Sequence, residues 1–320
     1  MKLTNEQELL ILNIINNQRI DKEDIKGLKD LFGIEIKNMS GLMQLSLDGD
    51  FNRDVYGLIP EEYRDEFWSV LFDTINSING TLDLQGTNIQ YIAVKIVLKD
   101  FICNDEAKEI YIENISGNAK ISNAEKLKEL DIAHVGGNLY IKDCDRLHSF
   151  DSDITVDGTL YLDGLNMENF DFFNVKGSLT VYDCKIKKLG NIGSNVGMSL
   201  TIGGSKINMV RPKNIGGLLS IDIKSSADKI FVETLGGMIN QGGHVGSFPL
   251  LISVEGDLYA GEISDLPFLE SVRGNLIFLG NVNNIRKLEY VGGRVILNKR
   301  YTKLSPEAES IISNFDVVWK

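Results

Sequence analysis

One phrase constrains this chain more than any other feature. It reads Val135-Gly-Gly-Asn-Leu-Tyr-Ile141 and returns, with drift, as Val156-Asp-Gly-Thr-Leu-Tyr-Leu162, Val175-Lys-Gly-Ser-Leu-Thr-Val181, Val196-Gly-Met-Ser-Leu-Thr-Ile202 and Ile215-Gly-Gly-Leu-Leu-Ser-Ile221. Anchored on its glycine, the series is Gly80, Gly117, Gly137, Gly158, Gly177, Met198 as a replacement, Gly217, Gly237, Gly256, Gly274 and Gly293, with steps of 18–21 residues after Gly117. The longer gap after Gly80 leaves room for one degraded coil around Ile96-Val-Leu98. A fixed period in this range predicts a solenoid, in which each coil buries its apolar face only against its neighbours.

The columns give the coil an inside and an outside. Two residues before the glycine stand Val135, Val156, Val175, Val196, Ile215, Val254, Val272 and Val291. Two after it stand Leu82, Leu139, Leu160, Leu179, Leu200, Leu219, Leu258 and Leu276, and four after come Ile141, Leu162, Val181, Ile202, Ile221 and Phe278. Period-two alternation puts these residues inside a short parallel strand. A second apolar pair, such as Met167 with Phe170 or Ile186 with Leu189, supplies the opposite wall of the coil. A coil of about 20 residues has too little chain left for a full return helix, so turns or extended chain are expected there.

These residues resemble leucine-rich repeats. The resemblance rests on Leu82-Asp-Leu-Gln-Gly-Thr-Asn-Ile89, Leu139-Tyr-Ile-Lys-Asp-Cys-Asp-Arg-Leu147 and Leu179-Thr-Val-Tyr-Asp-Cys-Lys-Ile186. The place where that family carries a polar or Cys residue holds Thr87, Cys144, Cys184, Ser205 and Asn281, and His244 is assigned to the same column. The short Gly-punctuated form is similar to repeats in bacterial and bacteriophage proteins of unassigned role. Such a resemblance, over about residues 78–300, implies architecture and is nearly silent on activity. The coil at Met238-Ile-Asn-Gln-Gly-Gly-His244 departs from the pattern, since Gln241 replaces an inner apolar residue, and predicts a bulge or inserted loop.

Outside the repeat, helices are expected. Thr4 with Gln7 fits a capping box for a helix over 4–17, and a second helix covers 22–32. The stretch Ile34 to Asp50 reads as a strand pair or a first imperfect coil. Pro60, Glu61 and Glu62 start a third helix running to about Ile75. Its stripe of Phe67, Trp68, Leu71, Phe72 and Ile75 suits a cap packed on the first coil better than a ligand groove. Ser305-Pro-Glu opens a short helix that, with Asp316-Val-Val-Trp-Lys320, is expected to close the last coil. The predicted fold is therefore a mainly β, leucine-rich-repeat-like solenoid with one parallel sheet and about 10–11 coils. Its divisions are an acidic, mainly helical region at 1–77, the repeat at 78–304 and a C-terminal cap at 305–320.

Charge narrows the function. Residues 1–77 hold 8 Lys and Arg against 15 Asp and Glu, so −7 of the net −12 lies there. A chain of this sign gains nothing by counterion release on DNA or RNA, so direct nucleic-acid binding is disfavoured. Cys103, Cys144 and Cys184 are odd in number and lack CxxC spacing, which argues against disulfides and zinc and for a reducing compartment. The start of the chain has no signal-peptide pattern, and no apolar run reaches the roughly 20 residues of a membrane span. A cytoplasmic location, in a bacterial or infected host cell, is expected.

No catalytic constellation is present, so no enzyme, cofactor or metal is expected. His134, His148 and His244 stand alone, and Gly190-Asn-Ile-Gly-Ser-Asn-Val-Gly197 reads as a turn and not as a phosphate cradle. The candidate partner-binding residues are Tyr140, Tyr161 and Tyr182, flanked by Lys142 and Asp163, with Tyr259 further along the outward column that also includes Asn240. Tyrosine also favours strands for packing reasons alone. Ile277, Leu279 and Ile296 form a second outward patch, covered either by the C-terminal segment or by another subunit. The first expectation is a non-enzymatic scaffold for one protein partner, and the phage resemblance adds a role in blocking a host defence or enzyme. A second is a nucleic-acid mimic acting through Asp48, Asp50, Asp54, Glu61, Glu62, Asp65 and Glu66. A third, a carbohydrate-active or carbohydrate-binding solenoid, needs clustered outward carboxylates, for which Asp163 and Asp222 are poor candidates.

Overall fold

Alternation at period two sends the phrase Leu and Ile to one side of an extended chain. They lie that way in the computed structural model, which describes residues 3–39, 44–241 and 243–320. The fold is a mainly β solenoid of about 12 coils with few helices. It divides into two compact units, 1–152 and 153–320. The count exceeds the expected 10–11 because the long gap after Gly80 holds a complete coil, in which Phe101 fills the Leu column and Val97 pairs with Ile78 and Ile115.

The first unit opens with helices α1 (Asn5–Asn17) and α2 (Lys22–Phe32), each closed at its N-terminus by a capping box, from Thr4 and Gln7 and from Asp21 and Asp24. An antiparallel hairpin follows, Ile36–Met39 against Gln44–Leu47. Its second strand already belongs to the parallel ladder, since Ser46 and Leu47 pair with Ser77 and Ile78, and Phe51 bridges Leu82. Leu47-Asp-Gly-Asp-Phe51 is thus an early copy of the phrase, placed before the expected boundary at 77/78. Two helices are inserted after it: α3 (Arg53–Tyr56), which the sequence did not suggest, and α4 (Glu61–Thr74). The stripe of α4 packs on that early phrase, with Trp68 and Phe72 edge-on to Phe51 at 4.8 and 5.2 Å between ring centroids. The Trp68 indole N–H donates to the Tyr56 carbonyl at 3.1 Å, so the polar atom of this fully buried ring is satisfied.

Four front strands follow in this unit, at Leu82–Asp83, Phe101–Ile102, Ala119–Ser122 and Leu139–Lys142, paired in parallel. The return segments are themselves strands, Tyr91–Val97, Glu109–Ile115 and Glu129–Val135. In the second unit the front strands run from Leu160–Asp163 to Val295–Leu297, and Val317–Trp319 pairs in register with the last of these. Return strands persist from Asn166–Val175 to His244–Ser247. A helix α5 (Pro306–Ile312), capped by Ser305, precedes the final strand.

A register shift precedes the stretch expected to bulge. The register shifts between Ile215 and Leu218, where Leu219 opposes Met238 and Leu218 opposes Gly237. The phrase anchor there is therefore Gly236 and not Gly237. Ile239, not Asn240, consequently stands opposite Ser220 in the outward column. Gly242, within the stretch expected to bulge, lies outside the described residues.

The phrase glycine is explained by crowding. A Cβ on Gly137 would stand 2.8 Å from the Gly117 carbonyl oxygen, and one on Gly177 would stand 2.5 Å from that of Gly158. The same carbonyls accept the N–H groups of Gly137 and Gly177 at 2.8 and 3.0 Å. The next residue completes the corner: Asp100 Oδ1 accepts the Asn118 N–H at 2.6 Å, and Asn118 Oδ1 accepts that of Asn138 at 2.9 Å. In the second unit Asp257 and Asn275 repeat the device toward Asn275 and Arg294. Buried Thr87, Asn104 and Cys144 occupy the polar column of the first unit, and Cys184, Ser205 and Ser225 that of the second. His244 is not among them; it is exposed and opposite Ser226, one place further on. Asn281 is likewise exposed.

We expect Gly177→Ala to cost about 1–3 kcal/mol by overpacking and Leu179→Ala about 2–5 kcal/mol by cavity formation, both measured by urea unfolding. Met198→Gly, at a corner whose side chain is exposed, should change stability by less than about 1 kcal/mol. Equal losses at Gly177 and Met198 would contradict the crowding argument.

Candidate functional site

Backbone pleat decides which residues can meet a partner. In the first unit the outward column runs Asp83, Ile102, Lys120 and Tyr140, with the Tyr140 ring 40% exposed. Lys142 is exposed on the same strand. In the second unit Tyr161 opposes Thr180, and Asp163 opposes Tyr182. The structure brings Tyr161, Asp163 and Tyr182 together on adjacent strands. Asp163, expected to face solvent, is only 8% exposed, and the Tyr161 hydroxyl donates to it at 3.4 Å. Tyr182 remains 46% exposed, its ring lying over Gly203, where a Cβ would meet it at 2.7 Å.

Tyr259 belongs elsewhere. Three coils with Thr180, Thr201 and Ser220 lie between Tyr161 and Ile239 in the outward column, and Tyr259 pairs instead with Ile277. Ile277 then opposes Ile296, and Ile296 opposes Val318. These four side chains form a half-buried apolar ladder, beside which Ile239 is 44% and Trp319 42% exposed. The C-terminal strand lengthens this ladder sideways and does not cover Ile277, Leu279 or Ile296, which all stay partly accessible.

The acidic set of the N-terminal region is only partly available. Lys37 donates to Asp48 and holds its carboxyl below the ordinary range, with Asn79 adding a second hydrogen bond. The Thr81 N–H and the Lys99 ammonium do the same for Asp50, at 2.8 and 3.2 Å. Asp65 accepts the Tyr56 hydroxyl proton at 2.6 Å. Burial, then this bond, pushes the Tyr56 phenol up to about 12. Asp54, Glu61 and Glu62 sit in the first turns of α3 and α4, where the helix dipole favours them, and Glu66 is exposed on α4.

Among the described residues no group of three or more His, Cys, Asp and Glu could hold a metal ion, and no helix is long and apolar enough to cross a membrane. His134 Nδ1 lies 2.8 Å from Asn114 Oδ1, opposite it on the neighbouring strand. All three thiols are buried and unpaired. Burial raises each of them, Cys144 and Cys184 to about 11, so they are protonated and unreactive at neutral pH.

Sequence columns missed one cluster. Lys108, Lys126, Lys128 and Arg146 line a single cavity of about 440 Å³ with Gln90, Tyr91 and Glu109. These cations sit in return segments and turns, away from the phrase. Aligning Ala107-Lys-Glu-Ile110 with Leu127-Lys-Glu-Leu130 would have stacked Lys108 on Lys128.

Compared with known proteins, the chain matches no family model, no curated protein and no solved structure.

The thiols generate an alkaline prediction. A thiol that titrates near pH 9 in the unfolded chain and near 11 in the fold leaves the unfolded state binding fewer protons between those values, so stability falls as pH rises through that window. Urea midpoints should drop from pH 9 to 11, and Cys144→Ala with Cys184→Ala should flatten that drop. An unchanged slope in the double variant would contradict the assignment.

Proposed function

We propose that the chain is a non-enzymatic interaction scaffold of leucine-rich-repeat-like form that holds a protein partner on the front-strand face of its second unit. The observation that carries this reading is the apolar ladder Tyr259, Ile277, Ile296 and Val318, four outward positions in register on a surface where Thr and Ser stand a few coils earlier. Rows of aliphatic side chains facing water across several strands mark interaction surfaces, and Tyr and Trp at their margins are the residue types that anchor interfaces. Tyr161 and Tyr182 offer a smaller aromatic site on the same face, and Tyr140 with Lys142 one in the first unit.

The acid-mimic reading has less support, because Asp48, Asp50 and Asp65 are already held by Lys37, Thr81, Lys99 and Tyr56. A carbohydrate site is disfavoured by the burial of Asp163.

Capture of partners from cells, with wild type, Ile277→Asp/Ile296→Asp and Tyr161→Ala/Tyr182→Ala compared, separates these surfaces. The ladder variant should lose about tenfold or more of the bound partner while keeping its melting temperature. Undiminished capture would refute the ladder as the binding face. Wild type that captures only itself, and sediments as a dimer abolished by the Asp pair, would replace a foreign partner with a second copy.

A further inference from the structure

The four cations missed by the phrase columns are arranged with regularity. The Lys108 N–H donates to the Gln90 carbonyl at 2.8 Å and the Lys128 N–H to the Lys108 carbonyl at 2.9 Å, so Lys108 and Lys128 stack on neighbouring coils. Lys126 and Arg146 each precede a buried leucine, Leu127 or Leu147, whose N–H closes the same turn at 3.0 or 3.1 Å. Two columns thus bring four cationic side chains from three successive coils to one concavity, Lys108 from the first, Lys126 and Lys128 from the second and Arg146 from the third.

Most of that charge is unneutralised. Lys126 pairs with Glu106 at 2.5 Å, but among the described residues Lys108, Lys128 and Arg146 form no ion pair. Lys108 lies instead over the Tyr91 ring, 5.9 Å from its centroid. The nearby carboxylates are diverted: the Tyr111 hydroxyl donates to Glu129, and Glu109 Oε2 stands 3.5 Å from the same hydroxyl. This occurs in a chain of net charge −12, where lysines such as Lys37, Lys99, Lys176 and Lys187 do find carboxylates.

We infer that this cavity binds a small molecule carrying two or three linked phosphates. Four cations on two columns and three coils, successive coils about 4.8 Å apart along the ladder, match several charged oxygens better than a single carboxylate. Arg146 contributes a planar fork suited to phosphate, and the lysines add mobile point charges. The volume falls within the range of small-ligand pockets. An extended nucleic acid fits poorly, because Asp105, Glu109, Glu125, Glu129 and Asp145 flank the quartet and would repel a long polyanion.

Calorimetric titration of the full chain with inorganic tripolyphosphate at low salt tests the inference, with pyrophosphate, ADP and adenosine as further arms. Saturable tripolyphosphate binding is expected, falling about tenfold or more in Lys128→Ala/Arg146→Ala and weakening as salt rises. Arg146→Lys, which keeps the charge and removes the fork, should lose part of that affinity and serves if the double variant misfolds. ADP binding more tightly than pyrophosphate points to a nucleotide that also uses Tyr91, whereas equal binding points to the phosphates alone; adenosine should not bind. The inference is overturned if tripolyphosphate gives no saturable binding, or if Lys299→Ala/Lys303→Ala weakens it as much as the cavity variant does.

Discussion

Everything in this chain depends on how closely one coil can approach the next at the corner entering the front strand. There the N–H of Gly137 donates to the Gly117 carbonyl at 2.8 Å, and a Cβ would stand no further from that oxygen. Glycine is kept for the space it leaves; neither Gly137 nor Gly177 is among the residues with positive φ. That contact leaves the next N–H pointing along the stack, and Asp100, Asn118, Asp257 or Asn275 accepts it with a side-chain oxygen. A corner residue followed by Asn or Asp, glycine at 117, 256 and 274 and lysine at 99, is one hydrogen-bonding device, which Ser178 and Ser199 continue with their hydroxyls.

Seen from this corner, the early phrase at Leu47-Asp-Gly-Asp-Phe51 acquires its meaning. Gly80 approaches the Gly49 carbonyl as later corners approach their predecessors, and Asp50 accepts the Thr81 N–H. The carboxyl of Asp50 is held below its ordinary range by that corner bond first and by Lys99 second. An acid that looks, by charge count, like part of a free anionic surface is therefore part of the ladder. Insertion of α3 and α4 immediately afterward lets Trp68 and Phe72 cover Phe51, which a regular preceding coil would otherwise bury.

The sequence made the inner columns legible because burial on two sides leaves Leu, Ile and Val little freedom to drift. It also marked α1, α4 and α5 through Thr4, Pro60 and Ser305, which act locally, and α2 without its cap, Asp21, which only the structure showed. Register was harder. A slip of one residue at Gly216-Gly217 against Gly236 exchanges Asn240 for Ile239 in the outward column, and with two adjacent glycines the letters alone do not say which is the corner. Outward residues were legible as a list but not as surfaces, since exposure depends on neighbours: Asp163 is sheltered beside Tyr161 and Tyr182, and Tyr259 joins isoleucines instead of tyrosines.

Function has the same geometric origin. A solenoid coil must spend its inner positions on neighbours, so what distinguishes one coil from another lies in outward columns and turns, and stacking multiplies whatever is placed there. An aliphatic residue at one outward place is ordinary; three in register beside Tyr259 become a strip of surface. A lysine in one turn is solvated; with its counterparts on the neighbouring coils it becomes part of a cavity of about 440 Å³ in which, among the described residues, three of four cations form no ion pair. Both surfaces arise from the 18–21-residue repeat acting on positions the core does not constrain. The phrase therefore fixes which positions the core leaves free, and both proposed surfaces are built from those positions.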